Sequence, residues 1–255
     1  MIRFEHVTKV LSGRKVLDDL SFEIQKGETF VIVGPTGMGK SVTIKHMVRL
    51  MTPDEGKVYV GDEVVSEATG AKLEAIRSRF GYLFQSDALL AWLTVAENVA
   101  LPLREKTSMS EEEIQQKVYE TLKLVALEND ADKYPAQISG GMRKRASLAR
   151  AIIRNPEIVL YDEPTASLDP VTARTIDTLI KRMRKELGVT SVVVTHDLHS
   201  ALSIGNRIAM LHNGKFIEIG TPEEFLNSDR KEVQKFLESQ FITKHGTWEK
   251  GTSHE

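Results

Sequence analysis

The sequence predicts an α/β fold with a parallel core sheet, an antiparallel β subdomain in front and an inserted helical subdomain. Three observations predict it. The runs TFVIV (29–33), IVLYD (158–162) and SVVVT (191–195) are short, nearly continuous and rich in β-branched residues, as strands buried on both faces of a parallel sheet must be. Residues 2–24 and 57–65 instead alternate loosely around turn-forming pairs, the pattern of antiparallel strands. From about 105 to 155 the apolar spacing becomes helical.

Taken in order, Ile2 and Phe4, then Val16, Leu17, Leu20, Phe22 and Ile24, give two strands around a turn at Ser12-Gly13. The run 29–33 leads into a helix over 40–51, and Lys57–Val65 reads as a hairpin turning at Gly61-Asp62. Ser110 and Glu113 form a capping box, with Ile114, Val118, Leu122 and Val125 as an apolar stripe behind it. Another helix starts after Ser139 and stops near Asn155-Pro156. Helices also fit 171–187 and 222–239, and the ending at 241–255, FITKHGTWEKGTSHE, reads as a frayed, flexible tail. The chain holds no internal repeat and no low-complexity segment.

Bulk properties narrow the function. With 255 residues, 41% of them hydrophobic, the chain can build one large domain or a core with a lobe attached. A net charge of −2 provides no global basic field to recruit nucleic acid or anionic lipid. The absence of cysteine excludes disulfides and thiolate metal sites. The opening MIRFEHVTKVLSGRK lacks the apolar core and cleavage site of a signal peptide. No window approaches the roughly 20 apolar residues of a membrane span. A soluble protein is expected, reaching any membrane through a partner.

Each buried run ends in polar residues, and ligands of such sheets bind beyond the carboxyl ends of the strands. The first run is followed by Gly34-Pro35-Thr36-Gly37-Met38-Gly39-Lys40-Ser41, which matches GxxxxGK[ST] between a strand and a helix. In such a loop backbone amides point at phosphates, the lysine reaches the β/γ oxygens, and the serine hydroxyl ligates Mg²⁺. The second run ends at Asp162, placed to hold Mg²⁺ through water, and Glu163 follows. Beside a phosphate loop, Glu163 suits the orientation or deprotonation of a water attacking the γ-phosphate. The third ends at Thr195-His196-Asp197, where His196 suits a γ-phosphate contact. His6, His46, His199, His212, His245 and His254 lack comparable placement and read as surface or packing residues. Ser139, Gly140 and Gly141 then open a helix whose exposed amides favour an anion, so the chain carries a second phosphate-type site.

Together GPTGMGKS, Gln85, ISGGM (138–142), YDEP (161–164), SLD (167–169) and His196 stand in the order and spacing of ATP-binding-cassette (ABC) ATPases. The chain resembles that family over residues 2–240, with the helical subdomain at about 86–155. The resemblance implies a P-loop NTPase fold that hydrolyses ATP with Mg²⁺, working as a head-to-tail homodimer with two sandwiched nucleotides. It also explains the second anion site: Ser139, Gly140 and Gly141 would close over the partner's ATP in trans. Gln85 would touch Mg²⁺ and the attacking water, and Asp169 would lie at the dimer interface. Two departures are visible. Met142 stands where most members have Gln, and Leu11 aligns where many stack an aromatic on adenine, so loose base selectivity is expected.

An ABC ATPase without spans normally drives separate permease subunits, here expected to meet residues 84–105. That stretch, FQSDALLAWLTVAENVALPLRE, has five apolar residues in a row, Leu89 to Leu93. They read either as local core beneath the helical lobe or as the wall of a groove for an apolar partner helix. The stretch, the Met of SGGM and the ending DRKEVQKFLES (229–239) resemble the ATPases of Mla/Mce-type lipid transporters, although Leu90 replaces a frequent Phe and Trp92 is unusual. This likeness implies a homodimeric permease, phospholipid moved between membranes in support of outer-membrane asymmetry, accessory and periplasmic lipid-binding subunits, and a peripheral place on the cytoplasmic side of the inner membrane. It implies no nucleic acid partner. The alternatives are an importer ATPase for amino acids or another small polar solute and, more remotely, a non-transport ABC ATPase acting on ribosomes or DNA.

Overall fold

The computed structural model of the chain describes residues 1–243, 246 and 247. The first two strands, β1 (Ile2–Leu11) and β2 (Arg14–Ile24), form the expected antiparallel pair around Ser12-Gly13. β3 (Thr29–Val33) is buried at every residue and runs into the phosphate-loop sequence and α1 (Lys40–Met47). β4 (Glu55–Val60) and β5 (Glu63–Val64) make the expected hairpin, and complete a four-stranded antiparallel sheet in the order β2-β1-β4-β5. α2 (Gly70–Arg77) and β6 (Phe80–Leu83) follow. Between β6 and the next strand of its sheet lie α3 (Val95–Lys106), α4 (Glu111–Leu124) and α5 (Gly140–Ile152).

The chain then returns through β7 (Ile158–Asp162), α6 (Pro170–Leu187) and β8 (Thr190–Thr195), with both strands buried throughout. α7 (Leu198–Ile204), β9 (Arg207–His212), β10 (Lys215–Gly220), α8 (Pro222–Leu226) and α9 (Lys231–Glu238) end the main body. The second sheet has the order β10-β9-β3-β8-β7-β6, and its five strands from β9 to β6 are parallel. Val33 pairs with Thr195, Asp162 with Val194 and Leu83 with Tyr161. The sequence motifs following β3, β6, β7 and β8 therefore emerge along one edge, the carboxyl edge of the sheet.

Alternation along the buried strands separates two cores. Phe30, Ile32, Ile158, Leu160, Val192 and Val194 face the antiparallel sheet and α1, whereas Val31, Val33, Val159, Tyr161 and Val193 face the helices on the other side. Stacked rings join the two sheets, Phe4 on Phe22 at 4.6 Å and Phe22 on Phe30 at 5.6 Å between centroids. Each strand thus contributes to both layers, as a parallel sheet covered on both faces requires.

Three expected elements change. The helix predicted over 40–51 stops at Met47; Arg49 has φ 51, and Arg77 donates to the Val48 and Arg49 carbonyls that a longer helix would have used. The single helix predicted over 222–239 is two. Ser228 breaks it by donating to Glu218 (2.7 Å) and accepting from the Arg230 amide (3.3 Å), the kind of side-chain bond that competes with helix. Helical structure begins at Val95, well before position 105, on a capping box of Thr94 and Glu97, and continues through Pro102. The tail reading falls largely outside the described residues, as do His245, His254 and Trp248; within them Ile242 and Thr243 pair with Thr247 and Gly246.

Candidate functional site

Lys40 is the centre of the site. It is the first residue of α1, and Gly39 before it has φ 96. A side chain at Gly39 would meet Val16 Cγ1 at 2.7 Å, so only glycine lets the loop lie against β2. Lys40 is 6% exposed, and its ammonium donates to the Gly34 carbonyl (2.8 Å) and the Pro35 carbonyl (3.1 Å). Glu163 Oε1 lies 3.6 Å away. Burial lowers the Lys40 pKa, and the Glu163 carboxylate opposes that shift. Thr36 and Gly37 are exposed, and the loop opens to a cleft of about 350 Å³ whose walls include Lys40, Ser41, Gln85, Glu163 and His196. Leu11 and Val16 form an aliphatic side of the same cleft.

At the end of β7, Asp162 Oδ1 accepts from the Ser41 hydroxyl at 2.6 Å, while Tyr82 OH reaches Oδ2 at 3.4 Å. Asp162 is 5% exposed and makes no ion pair among the described residues. Burial raises its pKa, against the opposing Ser41 hydrogen bond and the more distant Lys45 charge. A buried carboxylate without an ion-pair partner among the described residues, hydrogen-bonded to a serine hydroxyl, fits a divalent metal. The donor set therefore fits Mg²⁺, which Ser41 and Asp162 would hold, with a triphosphate that Lys40 and the loop's backbone N–H groups would bind. Gln85, exposed after β6, lines the same cleft.

Glu163 sits at φ 48, a left-handed conformation that costs a non-glycine residue about 1–2 kcal/mol. Its amide is held by the Val194 carbonyl at 2.9 Å. Its Oε2 lies 2.9 Å from His196 Nδ1 and accepts from the His196 amide at 3.3 Å. The strained turn thus directs one carboxylate between Lys40 and His196, and strain of this kind gathers at working sites.

Ser139 caps α5, accepting from the Met142 amide at 3.2 Å. Ser139 is exposed and Gly141 buried, while Gly140 lines a second cleft of about 560 Å³ beside Gln85, Asp162 and Ser167. A Cβ on Gly141 would meet Thr172 Cγ2 at 2.3 Å, so this glycine also admits α6 against α5. Asp169 caps α6, accepting from the Val171 and Thr172 amides at 3.0 Å each. Hydrogen bonds with Thr172 are the main cause of its lowered pKa.

Two supporting clusters lie outside the motifs. Lys144, 3% exposed, donates to the Gln85 carbonyl at 2.9 Å and pairs with Asp87 Oδ1 at 2.6 Å. Ser147 and Arg150 donate to the Asp87 carbonyl at 2.6 and 3.0 Å, and Arg150 also reaches Ala88 O at 2.6 Å. The gripped residues Asp87 and Ala88 are both left-handed, with φ 49 and 53. Next, the fully buried Asn98 accepts from the Leu90 amide at 2.8 Å, while its Nδ2 lies 2.9–3.0 Å from the Leu90, Leu93 and Thr94 carbonyls. That clamp settles the apolar run: Leu89 packs on the helical core, Leu90 and Leu93 are half-buried, and Trp92 stands 73% exposed.

Comparison with known proteins follows the same lines. The family profile described as ABC transporter matches residues 17–166, more than half of the chain. The probable ribonucleotide transport ATP-binding protein mkl of Mycobacterium leprae is 37% identical over 241 residues, covering 94% of this chain and 70% of that protein. The carnitine transport ATP-binding protein OpuCA of Listeria monocytogenes is 37% identical over 96% of this chain and 60% of its own length. The methionine import ATP-binding protein MetN of Francisella tularensis is 37% identical over 90% and 65%. Among solved structures, the dimeric post-hydrolysis state of the ATP-binding cassette MJ0796 bound to ADP and Pi superposes with a TM-score of 0.80 at 36% identity. It covers 87% of this chain and 99% of that one.

Proposed function

The chain belongs to the ABC transporter family as an ATP-hydrolysing, transport-coupled ATP-binding protein, and from that membership we propose that it powers a separate membrane permease whose cargo is lipid. The observation that carries the hydrolytic reading is the convergence of Lys40, Ser41–Asp162 and Glu163–His196 at one sheet edge. Lys40 and the backbone N–H groups of the loop, which Pro35 lacks, bind the β- and γ-phosphates. Mg²⁺, when bound through Ser41, Gln85 and water on Asp162, supplies charge neutralisation at those oxygens. Glu163 orients the attacking water and accepts its proton, His196 keeps that carboxylate aimed and touches the γ-phosphate, and Lys40 balances its charge.

The functional unit in this reading is residues 2–240, with the helices near 86–155 as a lobe that docks on the permease. Two copies assemble head to tail, so that Ser139, Gly140 and Gly141 of one meet the nucleotide on the other, with Asp169 between them. The dimeric MJ0796 structures support an assembly of two copies. The lipid assignment rests on the segment 84–105, on SGGM and on 229–239. The exposed Trp92 beside half-buried Leu90 and Leu93 supports an apolar seat for a permease helix. Phospholipid transport between membranes, from the cytoplasmic face of the inner membrane and with accessory and periplasmic lipid-binding subunits, follows from it.

A second reading has support of its own. The relatives carry names of polar cargoes, ribonucleotide, carnitine and methionine, which favours an importer of a small polar solute. Gentle solubilisation of membranes separates the two. Co-purification of a permease with bound phospholipid, and ATPase activity stimulated by phospholipid in the reconstituted complex, is the expected result. A permease that carries no lipid and responds to a soluble polar solute and its binding protein would overturn the lipid assignment.

A further inference from the structure

Gln240, just past α9, closes the C-terminal end of the main body onto the loop that carries His196. Its side-chain amide spans two backbone groups of that loop: Oε1 accepts from the Leu198 amide at 2.8 Å and Nε2 donates to the His196 carbonyl at 2.5 Å. An N–H can face only the oxygen and a carbonyl only the nitrogen, so the two partners fix which way the carboxamide points. The Gln240 carbonyl also lies 3.2 Å from His199 Nε2. Gln240 therefore grips the turn after β8 and the start of α7 at three points, His196, Leu198 and His199.

The gripped turn is the one on which Glu163 depends. His196 meets the same Glu163 oxygen through its ring and its amide, yet its side chain is 54% exposed, so packing does little to hold the imidazole. Its position is inherited from the backbone. Within the turn itself, the Asp197 amide bonds Thr195 Oγ1 at 3.0 Å and Asp197 caps Ser200 at 3.1 Å. Neither bond touches the His196 carbonyl, which Gln240 takes. Gln240 is itself held because α9 is anchored by the buried Val233 and Leu237.

We propose that Gln240 is a positioning residue for ATP hydrolysis: it holds the His196 backbone so that the imidazole stays on Glu163, and it ties the hydrolytic rate to the seating of α9. The inference rests on the reading of Glu163 and His196 as catalytic residues. It makes the end of the main body, 199 residues beyond Ser41 in the sequence, part of the hydrolytic apparatus. Any partner that displaced α9 would slow turnover without touching the nucleotide.

The test uses the full chain and compares Gln240→Ala, Gln240→Glu, His196→Ala and Ser239→Ala. Gln240→Glu keeps the acceptor for Leu198 but faces the His196 carbonyl with an oxygen. The Ser239 hydroxyl donates to the Phe236 carbonyl at 2.7 Å, away from the His196 turn, and Ser239 serves as the neighbouring control. Loss of both side-chain hydrogen bonds in Gln240→Ala, and of the His196 bond with an oxygen set against that carbonyl in Gln240→Glu, is expected to lower kcat about tenfold in each, with KM for ATP within about twofold of wild type, because ground-state binding is not involved. Ser239→Ala should match wild type. In ¹⁵N-histidine spectra the His196 ring resonances should shift in Gln240→Ala, although the ring is unaltered. If His196→Ala is inactive while both folded Gln240 variants keep wild-type kcat and an unmoved His196 signal, the positioning role is wrong. If His196→Ala turns over at the full rate, the catalytic assignment fails instead, and this inference falls with it.

Discussion

At the scale of single residues, Glu163 shows what the site asks of one side chain. It occupies a left-handed backbone position, is 8% exposed, and stands between a buried ammonium and an imidazole. Replacing it with glutamine preserves shape while removing the proton acceptor. Glu163→Gln is therefore expected to bind ATP with affinity within a few-fold of wild type and to lose about 10²–10³-fold in kcat, which nucleotide-binding and single-turnover assays check. A wild-type rate would remove Glu163 from the chemistry. The residues of this centre were readable because each lies at a strand end and carries chemistry at a spacing few other arrangements share. Lys144, Asp87, Asn98 and Gln240 were not. Their partners are mostly backbone groups, which no side-chain motif marks. Those of Lys144 and Gln240 are also distant in sequence, 59 residues between Lys144 and Gln85, whereas those of Asn98 lie within eight residues of it. Within RKR, Lys144 reads as one more charge on a solvated face.

At the scale of elements, α5 links the proposed second anion site to the loop after β6. Its first turn presents Ser139 and Gly140, and further along Lys144, Ser147 and Arg150, three residues apart on one face, grip residues 85–88. A shift of α5 must therefore drag Gln85. Lys144→Ala leaves Asp87 beside a vacated position and is expected to cost about 1–3 kcal/mol, reduced from the value for a fully buried pair because Asp87 is 22% exposed. Pairing it with Asp87→Ala should restore part of that loss. Urea unfolding of the four-member cycle measures the coupling, and strict additivity would show that the pair does not act as a unit. The same helix explains why β6 escaped notice. Gly81 in FGYL looks like a strand breaker, but a Cβ there would meet the Ala151 carbonyl at 2.3 Å, so the glycine lets α5 lie on the strand. Pro102 likewise hides α3, and the capping box at Thr94 was the signal that could have found it.

At the scale of the whole molecule, the parallel sheet brings four motifs to one edge, while Ser139 is exposed at the start of α5. The buried β-branched runs made this sheet legible in the sequence, as did the antiparallel alternation in front. What the pattern could not supply was β9 and β10, whose burial depends on neighbours distant in the chain. The proposed head-to-tail arrangement makes a quantitative prediction. Ser139→Arg and Lys40→Ala chains should each be inactive alone, whereas an equal mixture should recover roughly a quarter of the wild-type rate. Half of the dimers are then mixed, and each mixed dimer keeps one intact composite site. No recovery on mixing, with heterodimers demonstrated, would mean that Ser139 serves its own chain.

The Asn98 clamp has one more consequence. By fixing the backbone of residues 90–94 it holds the Trp92 ring out in water on a rigid mount. The chain carries only one other tryptophan, Trp248. Indole emission moves to shorter wavelength when water is replaced by hydrocarbon, so the face expected to meet the permease carries a native fluorophore. Association there can be followed by light alone, with no dye attached and no residue changed.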